Sequence, residues 1–266
     1  MGGRAREDSR PPGIARNPFY EIAFSDRDVP GQCDFLAAVY ALATGHQPAS
    51  VLELACGPAV HAREFARRGL RVLGLDLAPE MVAYAAERLG EHGHVMLGDM
   101  ADFTVDAPVD LAFTLLDSLP YLTTNQELTS HFRCVRHALR KGGVYVAELR
   151  HPSDAHPHPP DPTTLTTWTE ERDGARVTTE WGLEVTYEPI AQTERSRSRL
   201  TVEQAGTTHL IDSWVDQRPL LPQELRALVD LAGGWRFLGW WGDFDLDRPL
   251  GGSDEDWRMI VAWQRV

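Results

Sequence analysis

Short apolar runs alternate with longer amphipathic segments between Ser50 and Leu149. Each run has the length of a strand and lacks regular polar alternation, which indicates strands that are buried on both faces. The predicted strands are Val51–Ala55, Arg71–Asp76, Val95–Asp99, Asp110–Leu116 and Val144–Leu149. Because helical segments separate them, the pattern predicts a doubly wound, mostly parallel α/β sheet.

Helix signals lie between these strands. Pro79 suits a first helical turn, and the helix that it begins is predicted to end at Gly90. Thr124 and Glu127 have the spacing of a capping box. The apolar face of the helix that follows them is predicted to continue until Gly142 ends it.

The sequence changes in character after residue 150. A connector rich in proline and histidine leads into segments with alternating polar and apolar residues. Gly174 and Gly206 stand where turns are expected to join such segments, which predicts an inserted antiparallel β-meander. A helix at Pro222–Leu231 and strands at Trp235–Trp241 and Trp257–Trp263 then complete a seven-stranded sheet.

These patterns divide the chain into four parts. Residues 1–18 are expected to be a disordered lead, and residues 19–150 a core with an N-terminal helical cap, including a helix at Gln32–Thr44. Residues 151–218 form the meander, as a lid or a dimer interface. Residues 219–266 return to the core, so the whole is an α/β fold with one insertion.

Composition narrows the function classes. The formal charge of −13 disfavours a polyphosphate backbone, so no nucleic-acid partner is expected. No apolar stretch approaches the roughly 18 residues of a membrane span, and the N-terminus lacks the apolar core of a secretory signal. The three widely spaced cysteines show neither zinc spacing nor a disulfide framework, which favours a reducing cytoplasm.

The strongest chemical signal is VLELACGPA, residues 51–59, where a buried strand ends in a tight turn at Gly57. Such turns expose backbone N–H groups at the ligand-binding edge of a parallel sheet. Asp76 ends the next strand, where a carboxylate can accept both hydroxyls of a ribose. Because the glycines that a pyrophosphate requires after Gly57 are absent, the sequence indicates an adenosine-type cofactor other than NAD or FAD.

VLELACGPA, GLDLAPEMV, GDMADF and VDLAFTLLDSLPYL follow the motif order of class I S-adenosylmethionine-dependent methyltransferases, which residues 19–150 resemble. The resemblance implies a Rossmann-like fold, with S-adenosyl-L-methionine as cofactor and S-adenosyl-L-homocysteine as product. The chain looks most like natural-product tailoring enzymes, including sugar N-methyltransferases, whose meander also follows the fifth strand. This resemblance implies that the chain methylates N or O of a small-molecule acceptor in secondary metabolism.

The same resemblance implies the cofactor contacts, which are Tyr20, Glu53, Ala55, Cys56, Gly57, Asp76, Leu77, Asp99, Met100, Leu116 and Asp117. Glu53 and the turn Ala55–Gly57 are expected to hold the methionine portion, and Asp76 to bind the ribose. Asp99 is expected to accept from the adenine amino group, with Met100 near the ring; capping of its own turn is the alternative role of Asp99. The family turn is usually G-x-G, whereas this chain has alanine at the second glycine.

The remaining contacts surround the reacting centre. Leu77 is expected to line the adenine, and Leu116 and Asp117 to lie near the sulfonium and the acceptor entrance. Tyr20 resembles a tyrosine that closes over the cofactor in small-molecule members of the family.

Asp117, Tyr121 and His151 are the candidate catalytic residues. An acceptor hydroxyl or acidic carbon needs a base, whereas an amine needs only to be bound in its neutral form. His151 directly follows the fifth strand, and Tyr121 stands where several sugar N-methyltransferases have a histidine. His156 and His158 lie near His151, but a proline-broken loop seldom pre-forms metal geometry, so no metal is expected.

The sequence leaves three alternatives open. The first is a methyltransferase that acts on RNA or protein, which binding that collapses with rising salt would support. The second is other chemistry with the same cofactor, namely C-methylation or intramolecular cyclisation of its aminobutyl chain. The third is a cofactor-binding or dimerisation module without catalysis. Separately, the meander is compatible with a homodimer.

Overall fold

The structure is a computed structural model that describes residues 17–155, 166–251 and 256–266. These residues form two compact units. One unit contains residues 28–155 and the described part of 219–266, and the other contains residues 17–27 and 166–218. Most of the predicted N-terminal lead, together with His156 and His158, lies outside the described residues.

The elements follow one another in the order that the sequence predicts. The helices are α1 (Phe19–Ala23), α2 (Val29–Thr44), α3 (Val60–Arg67), α4 (Pro79–Leu89), α5 (Asn125–Ala138) and α6 (Pro222–Ala232). The strands are β1 (Ser50–Leu54), β2 (Arg71–Asp76), β3 (His94–Leu97), β4 (Val109–Thr114), β5 (Leu139–Arg150), β6 (Thr166–Arg172), β7 (Ala175–Glu188), β8 (Thr193–Gln204), β9 (Thr207–Gln217), β10 (Trp235–Trp241) and β11 (Arg258–Arg265).

A seven-stranded sheet with the order β10-β11-β5-β4-β1-β2-β3 forms the centre of the larger unit. Strands β1 to β5 are parallel to their neighbours in the series β5-β4-β1-β2-β3, and β11 is antiparallel to both β5 and β10. This confirms the Rossmann-like, mostly parallel sheet. The strand order reverses between β1 and β4, which is where doubly wound folds bind ligands.

Helices cover both faces of this sheet. On one face α5 and α6 bury apolar side chains such as Phe132 and Leu225, and on the other α2, α3 and α4 bury side chains such as Leu36 and Phe65. Each of these four side chains is at most 1% exposed. The strands between the two layers are therefore apolar on both sides, which is why their sequence shows no alternation.

The helix ends reflect local hydrogen bonding. The predicted capping box is confirmed, because the Thr124 hydroxyl accepts from the Glu127 N–H at 3.2 Å and the Glu127 carboxylate accepts from the Thr124 N–H at 3.0 Å. Helix α2 begins three residues earlier than predicted, since the Asp28 carboxylate accepts from Gly31 N at 3.0 Å.

Strand β5 is longer than predicted, and this corrects the proposed role of Gly142. Helix α5 already ends at Ala138, and β5 begins at Leu139. The pairing of β5 with β4 shifts between Leu139 and Val144, so the residues between them form an irregular segment. Gly142 has a φ of +81° within this irregularity and does not end the helix.

The second unit is the predicted antiparallel meander, a four-stranded sheet in the order β6-β7-β8-β9. Gly174 and Gly206 lie in the tight turns, each preceded by a residue that also has a positive φ. Helix α1 packs on this sheet, where Ala23 joins Val177 and Leu200 in a small buried cluster. No helix among the described residues is long and apolar enough to cross a membrane.

Candidate cofactor-binding site

The carboxyl ends of β1, β2, β3 and β4 lie along one edge of the parallel part of the sheet. The residues that end or follow these strands are the ones selected from the sequence, namely Ala55–Gly57, Asp76, Asp99 and Leu116–Asp117. The structure thus brings most of the predicted cofactor contacts to a single edge at the reversal of strand order.

The turn after β1 is bound to the end of β2. Gly57 N donates to the Asp76 Oδ2 atom at 2.7 Å, and Cys56 N donates to the Leu75 carbonyl at 3.0 Å. Burial raises the pKa of the Cys56 thiol, so this residue contributes through its backbone and remains protonated. The two sequence signals, the glycine turn and the acidic strand end, are therefore in direct contact.

Asp76 is held in a fixed orientation. Its Oδ1 atom accepts from Ala78 N at 2.9 Å, and the residue is only 7% exposed. Burial raises the pKa of Asp76, although the backbone N–H groups of Ala78 and Gly57 act in the opposite direction. A carboxylate oxygen has two acceptor sites, so each oxygen retains capacity for a ribose hydroxyl.

Glu53 braces the first turn of α3. Its Oε2 atom accepts from Ala62 N at 2.9 Å, and its Oε1 atom lies 3.2 Å from His61 Nδ1. The other ring nitrogen of His61 lies 2.7 Å from the Gln32 side-chain oxygen. His61 and Gln32 were not predicted as site residues; the available signal was that both are polar residues on otherwise buried helix faces. A contact of Glu53 with the methionine portion remains a prediction.

The residues predicted to contact the adenine are Leu77 and two residues in the segment after β3. Asp99 Oδ1 accepts from Ala101 N at 2.8 Å, so the turn-capping role that the sequence left open is present. Met100 is buried, whereas the Leu77 side chain, directly after Asp76, is 38% exposed. An exposed apolar side chain beside a buried carboxylate suits the flat face of a purine.

Leu116 and Asp117 both adopt the left-handed region, with φ values of +55° and +52°. Their conformation is held by β5, because Leu116 N donates to Glu148 Oε2 at 2.8 Å. Asp117 accepts from Arg150 N and Arg150 Nε, each at 3.0 Å. Since non-glycine residues adopt this region at a cost, the two anchors keep a strained segment in place at the sheet edge.

Glu148 and Arg150 were not predicted as site residues. A carboxylate inside the apolar run of β5 was the signal for Glu148, which is fully buried and whose Oε1 atom lies 3.4 Å from Arg258 Nε. Because Arg150 engages both carboxylate oxygens of Asp117, the carboxylate of Asp117 is arranged as an anchor rather than as a base.

The other two catalytic candidates have different surroundings. His151 Nδ1 lies 2.7 Å from Ser153 Oγ and accepts from Ser153 N at 3.3 Å. A backbone N–H only donates, so the neutral ring carries its proton on Nε2 in this arrangement. Tyr121 is half-buried in a short 3₁₀ turn and packs against the core.

Tyr20 lies on α1, in the unit that contains the meander. Its ring packs against Phe24, with 4.5 Å between the centroids. Closure of Tyr20 over the cofactor remains a prediction.

Alanine occupies two left-handed positions of the β1 turn, since Ala55 and Ala59 have φ values of +51° and +54°. Because glycine adopts this region without a steric penalty, Ala59→Gly is expected to raise the free energy of unfolding by about 0.5–1 kcal/mol. Urea unfolding measures the change. Ala86→Gly, on the exposed side of α4, is the matched control and is expected to lower it by about 1 kcal/mol. An equal decrease in the free energy of unfolding of both variants would contradict strain at Ala59.

Part of the chain matches a known protein family. The family model described as "Methyltransferase domain" matches residues 51–143. The dTDP-3-amino-3,4,6-trideoxy-alpha-D-glucopyranose N,N-dimethyltransferase of Streptomyces venezuelae is 30% identical over 102 residues, 38% of this chain and 43% of that protein. The malonyl-[acyl-carrier protein] O-methyltransferase of Salmonella typhimurium is 41% identical over 80 residues, 30% of this chain and 32% of that protein. The chain thus spans less than half the length of these curated relatives.

The fold as a whole is similar to a solved structure. The S-adenosylmethionine-bound amino pentose methyltransferase CalS10 of Micromonospora echinaspora superposes with a TM-score of 0.71. The match covers 94% of this chain and 98% of that chain at 21% sequence identity. The similarity extends over both units of the chain and concerns the fold alone.

Proposed function

Because this chain belongs to the class I S-adenosylmethionine-dependent methyltransferases, we propose that it transfers a methyl group from S-adenosylmethionine to a small-molecule acceptor. The observation that carries the proposal is the 2.7 Å contact between Gly57 N and Asp76 Oδ2. It joins the turn after β1 to the buried carboxylate at the end of β2, and these are the two groups that an adenosine cofactor needs.

The residues at the sheet edge fit this cofactor. The Asp76 carboxylate is oriented by two backbone N–H groups and is suited to the ribose hydroxyls. Leu77 and Met100 offer apolar surface for the adenine, and Asp99 a carboxylate for its amino group. The bound sulfonium supplies an activated methyl group, so the protein itself must align the acceptor and exclude water.

We propose that the acceptor atom is an amine nitrogen. An amine that is bound in its neutral form needs no base, whereas a hydroxyl does. The Asp117 carboxylate is committed to Arg150, and His151 carries its proton on Nε2 when Nδ1 accepts from Ser153. Both arrangements favour an acceptor that requires no proton removal by the protein. The similarity to a sugar N,N-dimethyltransferase supports an amino sugar.

A carboxylate oxygen is the second candidate acceptor. Carboxylates are ionised at neutral pH and also react without a base. The segment that is 41% identical to a malonyl-[acyl-carrier protein] O-methyltransferase favours this possibility. A role in secondary metabolism, a cytoplasmic location and a homodimer remain predictions of the sequence.

The test begins with calorimetric titration of the whole chain with S-adenosylmethionine and, separately, with NAD. We expect binding of S-adenosylmethionine at micromolar concentration and none of NAD. Binding of NAD alone, or of neither compound, would contradict the proposal.

Product mass then identifies the acceptor. Nucleotide-linked amino sugars are compared with the same sugars that carry a hydroxyl in place of the amine, and with a malonyl thioester. A gain of one methylene on the amino sugars alone supports N-methylation. A methylated thioester points to the carboxylate. A cofactor fragment formed without any acceptor points to intramolecular cyclisation, and binding without turnover points to a non-catalytic module.

A further inference from the structure

The segment after β3, Asp99–Asp102, is held by side chains on one face of α5. His131 Nδ1 lies 2.9 Å from the Met100 carbonyl, and Ser130 Oγ donates to the Ala101 carbonyl at 2.7 Å. Two successive backbone carbonyls next to Asp99 are thus bound to one helix. The position of Asp99 therefore depends on α5 as well as on β3.

The opposite side of His131 connects to the ends of two other strands. His131 Nε2 lies 2.8 Å from the Tyr145 hydroxyl on β5, and that hydroxyl lies 2.8 Å from Thr114 Oγ1 at the end of β4. All three residues are fully buried. A continuous series of hydrogen bonds therefore runs from the end of β4, two residues before Leu116, to the carbonyl of Met100.

The chemistry of these groups fixes the direction at His131. A carbonyl only accepts, so the proton of the neutral ring lies on Nδ1 and is donated to Met100. Nε2 then carries no proton and can accept from the Tyr145 hydroxyl, whose single proton is shared between Nε2 and Thr114 Oγ1. Burial lowers the pKa of His131 to about 4, so the ring is neutral at physiological pH.

We propose that His131 is a positioning residue for adenine recognition, which places the Asp99 carboxylate to receive the adenine amino group. The proposal rests on the proposed function, because it requires that an adenosine cofactor binds at this edge. Tyr145 assists by occupying Nε2 and so keeping Nδ1–H directed at Met100. His131 itself touches neither the cofactor nor the acceptor in this role.

A purely structural role for His131 predicts something different. Loss of a buried hydrogen-bond network lowers the free energy of unfolding and weakens all ligands of the site to a similar degree. Loss of a positioning residue for Asp99 instead lowers the preference for an amino group at adenine position 6. Two ligands that differ at position 6 separate the two roles.

The experiment compares S-adenosylhomocysteine with S-inosylhomocysteine, which has an oxygen in place of the amino group and, as a consequence, a proton on N1. Dissociation constants are measured by calorimetry for the full chain and for His131→Phe, which keeps the ring volume but has no polar atoms. The wild-type chain is expected to prefer the adenine compound, and His131→Phe to reduce this preference about tenfold, the size expected when one charge-assisted hydrogen bond is misplaced.

Two further variants make the test specific. His131→Asn places an amide N–H near the position of Nδ1 and is expected to restore most of the preference. His137→Asn, at an exposed site on the same helix, is the matched control and is expected to leave the preference unchanged. If His131→Phe does not fold, Tyr145→Phe, which keeps the aromatic packing against Trp263, is expected to lower the preference about threefold.

The outcomes separate the two hypotheses. If the wild-type chain discriminates between the ligands and neither His131→Phe nor Tyr145→Phe alters the ratio, the positioning role is overturned and the proposed function stands. If these variants bind both ligands more weakly by the same factor, the positioning role is also overturned. If the wild-type chain binds neither ligand, the proposed function fails, and the positioning role fails with it.

Discussion

Replacement of Asp76 by alanine is expected to weaken the binding of S-adenosylmethionine roughly a hundredfold or more. The carboxylate is suited to accept two ribose hydroxyls, and a hydrogen bond to an ionised group contributes about 1.5–3 kcal/mol. Two such bonds amount to about 3 kcal/mol or more, which corresponds to at least a hundredfold in the dissociation constant. Calorimetric titration of wild type and variant measures the change directly.

The same carboxylate also supports the local structure, so the fold of each variant must be measured in parallel. Asp76 accepts from Gly57 N and Ala78 N, and alanine leaves both groups without this acceptor. Asp76→Asn retains one acceptor oxygen and most of the shape, and is expected to weaken binding about tenfold. Asp106→Ala, at an exposed acidic site, is the control and is expected to bind normally.

Circular dichroism and thermal unfolding establish whether the variants remain folded. Unchanged affinity in a folded Asp76→Ala chain would remove the assignment of the ribose site. It would also remove the contact between Gly57 and Asp76 as support for the proposed function.

Most of the sheet could be predicted because buried parallel strands have a simple sequence pattern. Their runs are mostly apolar on both faces, and two of the acidic residues that the sequence selects, Asp76 and Asp99, stand at or just after the strand ends. The turn at Gly57 and the acid that ends the next strand lie on neighbouring parallel strands. Their contact therefore follows from the topology once the order of β1 and β2 is known.

The buried polar partners could not be predicted in the same way. Glu148 meets the backbone of Leu116 across 32 positions of sequence, and the His131 ring meets the Met100 carbonyl across 31. Periodicity states which side chains face the core, but it does not state which polar atoms meet there. Such pairs depend on the register of adjacent elements and become visible only in three dimensions.

The end of β4 was predicted incorrectly for a different reason. The apolar run continues to Leu116, so the sequence predicted a strand to that residue, whereas β4 ends at Thr114. Leu116 and Asp117 instead adopt left-handed conformations that β5 stabilises through Glu148 and Arg150. Local propensity disfavours this conformation for both residues, and tertiary hydrogen bonds override it at this edge of the sheet.

A loss of stability on acidification is expected from His131. Burial lowers its pKa from the ordinary value of 6.5 to about 4, because the charged ring cannot be solvated. The groups that it meets are the Met100 carbonyl, the Tyr145 hydroxyl and the Phe132 and Tyr145 rings, and none of them carries a charge near pH 5. Below pH 6.5 the unfolded chain therefore binds a proton at this residue that the folded chain does not.

The sign follows from proton linkage. The contribution of His131 to stability is fully present above its unfolded pKa of about 6.5, and it is lost as the pH falls from there toward 4. A shift of this size corresponds to about 3 kcal/mol in total, of which about 2 kcal/mol is lost by about pH 5. Other titrating groups add to the pH dependence of the whole chain, so a difference between two proteins is required.

Urea unfolding of wild type and His131→Asn at about pH 7.5 and pH 5 isolates this contribution. The asparagine variant lacks the titrating ring, so wild type is expected to lose about 2 kcal/mol more than the variant over this range. His137→Asn removes an exposed histidine from the same helix and is expected to show the wild-type dependence. If the free energy of unfolding changes with pH equally in wild type and His131→Asn, the buried ring accepts its proton without cost. The hydrogen-bond directions assigned to His131 would then be wrong.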